Sequence, residues 1–126
     1  LASRVQGITK KLGVASLITD STAEAVGKAF DHRRLAVVRP LGIVEPVGLH
    51  ELKEGADEEW RQMAHRYEAA LTAFDNSDLT GAARQLASLV YDHPEDNPSV
   101  VLLGRVVDAL TRKEEKVDPV WKMDSK

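Results

Sequence analysis

Arginine, histidine and carboxylate side chains are where this sequence could hold chemistry, and their spacing sorts them. Arg4 stands in "LASRVQGITKKLG", one position off an apolar stripe of Leu1, Val5, Ile8 and Leu12 at i, i+4, i+7 and i+11. A guanidinium beside the buried side of a helix can aim a fixed fork of donors at phosphate or carboxylate oxygens, or it can be a plain solvated charge. Arg39 closes the run "HRRLAVVRP" (32–40), whose first three residues read as a solvated strand entry. His32, His50, His65 and His93 fall one to an element, without H-x-x-x-H or H-x-x-E-H spacing, which argues against zinc. "DHPEDN" (92–97) gathers acid and amide oxygens but lacks the EF-hand pattern; helix capping accounts for it better. There is no glycine-rich phosphate loop. With no cysteine, the chain has neither disulfides nor thiolate metal sites.

Composition narrows the classes further. The 126 residues suit one ordinary domain or two small units, and 43% apolar content is enough for a core. Only 5% are aromatic, so aliphatic side chains must fill that core. A net charge of −3 is opposite to what a general nucleic-acid surface requires, so no nucleic-acid partner is expected. No apolar run approaches the roughly 20 residues of a membrane span, and no secretory signal is present. The expected compartment is the cytoplasm; a membrane tether on a larger parent would lie outside these residues.

The elements that must position these groups come in two halves. After the opening helix, Gly13 sits where a C-terminus favours positive φ, and "VASLIT" (14–19) reads as a short buried strand. Ser21 and Glu24 form an S-x-x-E capping box for a helix over Thr22–Ala29. "HRRLAVVRP" and "VEPVGLHEL" (44–52) read as two strands of a hairpin, with Leu35, Val37 and Val38 apolar in the first. Val47, Leu49 and Glu51 share one face of the second. This sheet is too small to stand alone and is expected to need strands from elsewhere. The second half reads as three helices. Trp60, Ala64, Tyr67, Leu71 and Phe74 mark the first, and Leu79, Ala82, Ala83, Leu86, Leu89 and Val90 the second. Val100, Leu103, Val106, Val107 and Leu110 mark the third, with Pro98 in its first turn.

Taken as a block, residues 1–52 resemble the C-terminal end of a class III adenylate/guanylate cyclase catalytic domain. "LASR" matches the tail of that family's N-x-A-S-R motif, "GVASLITDST" its strand and turn, and "LGIVEPVGLHEL" its closing strand pair. Several motifs stand in the right order at the right separations, over about a third of such a domain. The resemblance implies a partial ferredoxin-like domain of helix, strand, helix and hairpin, cut one residue after the family's asparagine.

It also implies chemistry. The parent would convert ATP, in preference to GTP, to the 3′,5′-cyclic nucleotide and pyrophosphate, working in signal transduction as a homodimer. Arg4 takes the place of the family's transition-state arginine. Two Mg²⁺ or Mn²⁺ ions are implied, with ligands outside this chain, which alone is expected to be inactive. The family's triphosphate lysine is replaced by Leu41; Arg39, two residues upstream on the same face of an extended strand, could substitute or be only a strand-end charge.

The second half resembles a tetratricopeptide repeat. "SDLTGAARQLASLVYDHPED" fits the repeat's second helix, and Arg66–Asp78 fits the first, with Arg66 in place of the usual tryptophan. The expected organisation is therefore α+β: a cyclase portion over 1–54, a linker over 55–59, a tetratricopeptide-like three-helix segment over 60–112 and a charged tail over 113–126. A protein partner is expected on the helical segment. The alternative is a non-catalytic cyclase-like remnant with the same binding module.

Overall fold

The computed structural model describes residues 12–14, 16–28, 30–40 and 45–123, and the chain is α+β. It divides into two compact units: residues up to Asp57 together with those from Val120 onward, and Glu58–Pro119.

The first unit is built on a four-stranded mixed sheet. Its strands are β1 (Leu17–Thr19), β2 (Asp31–Pro40), β3 (Val47–Lys53) and β4 (Val120–Met123), in the spatial order β1-β3-β2-β4. β3 runs antiparallel to both β1 and β2, whereas β4 lies parallel to β2, with Val37 opposite Val120 and Val38 opposite Trp121. Two expectations change here. Part of the region read as a charged tail over 113–126 is a strand, and the sheet takes its fourth strand from this chain's own C-terminal part. Val120 and Trp121 supply apolar side chains to a strand that the surrounding charges mask in the sequence.

A bulge explains how β2 fills its core. The register with β3 shifts between Arg34 and Ala36. Before the bulge Arg33 faces Glu51; after it Ala36 faces Leu49 and Val38 faces Val47. Leu35, Ala36 and Val38 are all buried, while Val37 is only half-buried. Strict alternation would have put Leu35 and Val37 inward and Ala36 and Val38 outward; the extra residue turns the strand over. Val47, Leu49 and Glu51 do share one face of β3, as their spacing indicates.

Helix α1 (Asp20–Val26) follows β1 directly. Its N-cap is Thr19, whose hydroxyl accepts from the Thr22 N–H, and Gly27 with φ of 54° ends it. The helix thus begins two residues before the expected start, and Ser21 lies in the first turn instead of capping it. Ahead of β1, Leu12 is helical and buried, and Gly13 takes the positive φ (67°) that its position suggested.

The second unit is three helices: α2 (Glu58–Asp75), α3 (Leu79–Asp92) and α4 (Asn97–Thr111). α3 packs against both neighbours, and Ala70 and Ala82, both fully buried, keep the α2–α3 approach close. Tyr67, Leu71 and Phe74 from α2 and Leu86 and Leu89 from α3 fill the core. Arg66 of α2 reaches α3: Nη1 donates to Asp92 Oδ2 at 3.0 Å and Nη2 to Ser88 Oγ at 3.1 Å. The buried face of α4 also departs from expectation. Pro98, Ser99, Leu102, Val106 and Ala109 are buried, while Val100 (42% exposed), Val107 (45%) and Leu110 (39%) are not. The apolar sector of α4 is wider than α3 can cover, so only one side of it is packed. No helix among the described residues is long and apolar enough to cross a membrane.

Candidate functional site

Of the two arginines singled out in the sequence, one can be placed. Arg4 lies outside the described residues. Arg39 stands exposed near the end of β2, and its backbone pairs in parallel register with Lys122 of β4. An extended strand carries it there because Leu35, Ala36 and Val38 anchor the same strand in the core. Leu41 and the rest of the hairpin link, 41–44, lie outside the described residues.

The described residues bring together a different group. Asp20 opens α1, and its Oδ1 lies 2.6 Å from Nε2 of His50 on β3. The nearby His32 on β2 meets the His50 ring edge-on, with centroids 5.3 Å apart. Gly48, two residues before His50 and hence on the same face of β3, makes room for this arrangement. A Cβ at that position would collide with the Asp20 carboxylate. With a proton on Nε2, the ring donates to the Asp20 carboxylate. Its Nδ1 is buried and has no hydrogen-bond partner among the described residues. With Nε2 held by Asp20 at the start of α1, this imidazole ties α1 to the sheet.

On the opposite face of β3 lies the most buried charge among the described residues. Arg33 is 1% exposed, and its Nε and Nη2 reach Glu51 Oε1 at 2.8 and 2.7 Å. The two residues are direct cross-strand partners, so the register itself sets the pair.

Sequence spacing hid both arrangements. Asp20 and His50 are 30 residues apart, and the histidines, taken one to an element, carried no pattern. The one local signal was Gly48 inside a strand run, which marks a close approach by some other group. Among the described residues, no three His, Asp or Glu side chains are grouped so as to hold a metal ion. No family model matches this chain, and no curated protein or solved structure is found to be similar to it.

Proposed function

We propose that the chain is the closing part of a class III nucleotidyl cyclase catalytic domain, joined to a helical module that recruits a protein partner. The reaction is cyclisation of ATP, in preference to GTP. The ribose 3′-oxygen attacks the α-phosphorus, the bond to the pyrophosphate oxygen breaks, and the hydroxyl proton passes to a base. One observation carries the reading: the motifs "LASR", "GVASLITDST" and "LGIVEPVGLHEL" stand in family order. The order β1, α1, then the β2–β3 hairpin over the same residues is compatible with it.

On this reading Arg4 supplies guanidinium donors to phosphate oxygens as negative charge builds on them, a contact worth about 10²–10³ in rate. Arg39, exposed near its strand end, is the candidate second contact to the triphosphate. Both metal ions would be held by residues other than those described, and their contribution would be to neutralise phosphate charge.

The test uses the full-length protein that carries this chain, with cyclic nucleotide formation from ATP and from GTP measured in Mg²⁺ or Mn²⁺. Arg4→Ala is expected to cut turnover by about 100-fold or more, with the circular dichroism spectrum unchanged. A near-normal rate would remove Arg4 from its assigned role, and no activity in the parent would remove the enzyme reading. The second reading, a non-catalytic remnant with a protein-binding surface, is favoured by Leu41 in place of lysine and by exposed Val100, Val107 and Leu110. It expects an inactive parent that still binds a partner through α4.

A further inference from the structure

Gly104 stands in the middle of α4, where the fold of the helix gives no reason for a glycine. Its backbone is helical, and apart from the helix itself a Cβ there would meet nothing within 4 Å. A glycine inside a helix weakens it relative to alanine, because glycine gives up more backbone freedom on folding. The neighbours of Gly104 supply the reason. Val100 precedes it by four residues and Val107 follows it by three, so all three share one face of the helix. Leu103 and Leu110 widen that face. Val100, Gly104, Val107 and Leu110 are exposed and Leu103 is half-buried. Bare backbone at the centre of an exposed apolar stripe lets another helix come closer than a side chain would allow.

The stripe is complementary to itself. Two α4 helices laid antiparallel, with a two-fold axis between Leu103 and Gly104, set Val100 of each copy opposite Val107 of the other. Leu103 of each then meets the notch at Gly104 of the other. Such a patch, in which residue i meets j and j meets i, is what a two-fold interface requires. Charge favours the same direction. Just ahead of α4 the Glu95 side chain is 72% exposed, and just after it the Arg112 side chain is 69% exposed. An antiparallel partner brings the acidic end of one helix beside the basic end of the other, twice, and opposes the two helix dipoles. Asp108, beside the stripe, is already paired with Arg112 Nε at 3.3 Å and so does not repel a second copy. We propose that α4 is a self-association seam, through which two copies of this chain pair antiparallel with their helices crossing at Gly104. The patch is small, so the dimer is weak, with a Kd on the order of 100 µM. This inference is independent of the cyclase reading and survives its failure.

The test is sedimentation equilibrium of the full 126-residue chain over about 5–500 µM, a range that brackets that Kd. The apparent mass is expected to rise from that of one chain toward that of two. Gly104→Ala should raise the Kd about 10-fold while raising the Tm of the monomer, since alanine closes the notch yet is the better helix former. A glycine of purely internal importance would not move the two readouts in opposite directions. Val107→Asp should leave a monomer throughout, with an unchanged circular dichroism spectrum. Because the chain has no cysteine, register can be read directly. Mixed Val100→Cys and Val107→Cys chains should form a disulfide with each other faster than either forms one with itself. A chain that stays monomeric to the top of the range would overturn the proposal and leave the face to a different protein. A dimer untouched by Gly104→Ala and Val107→Asp would overturn it too, since the contact would then lie elsewhere.

Discussion

The carboxylate of Asp20 occupies the space that a side chain at position 48 would need, and Gly48 is the residue that leaves it open. Helix α1 therefore meets the sheet through a polar contact, Asp20 to His50, made over bare backbone.

Gly48→Ala is expected to push Asp20 off His50 and to lower stability by about 1–2 kcal/mol, read from chemical denaturation. In a double-mutant cycle, Asp20→Ala should add almost nothing once Gly48→Ala is present, because both changes break the same contact. Additive losses would show that alanine is accommodated without moving the carboxylate.

Arg33→Met should cost about 3 kcal/mol or more, since it leaves the Glu51 carboxylate facing a closed interior. The double variant Arg33→Met/Glu51→Leu should recover most of that loss, because two apolar side chains can fill the volume without uncompensated charge. Equal stability of the single and double variants, again measured by denaturation, would mean that water reaches Glu51 freely.

Lys113 has φ of 57° and closes α4 in the same manner that Ser77 closes α2, with Glu114 N–H bonded to Ala109 O and Lys113 N–H to Leu110 O. Unlike Ser77 it is exposed. Lys113→Gly should therefore raise stability by about 0.5–1 kcal/mol, seen as a higher Tm.

Asp78 caps α3 by accepting from Gly81 N–H at 3.1 Å. Asp78→Ala should cost about 1 kcal/mol, and Asp78→Asn or Asp78→Ser much less, since each keeps an oxygen for the same N–H. Thermal melts of the three variants rank them directly.

Local rules made much of the architecture legible. Apolar periodicity placed all three helices of the second unit, and β-branched runs bounded by Pro and Gly placed β2 and β3. Those signals lie within one element and need no knowledge of its neighbours. What they missed depends on neighbours. The bulge at Leu35 is decided by which residues β3 presents, and the buried side of α4 by where α3 stops covering it. β4 was hidden because its four residues follow a charged stretch and find their partner only across the whole helical unit. At the candidate site, Arg39 was placed on its strand, whereas the Asp20–His50 contact joins residues that no spacing rule connects.

The parallel pairing of β2 with β4 also sets an order of events. Val37 and Val120 are partners roughly 80 residues apart, and closing so long an unstructured loop for a four-residue ladder is entropically unfavourable. Once α2, α3 and α4 have formed, most of that loop is already ordered. The sheet should thus be completed after the helices have formed.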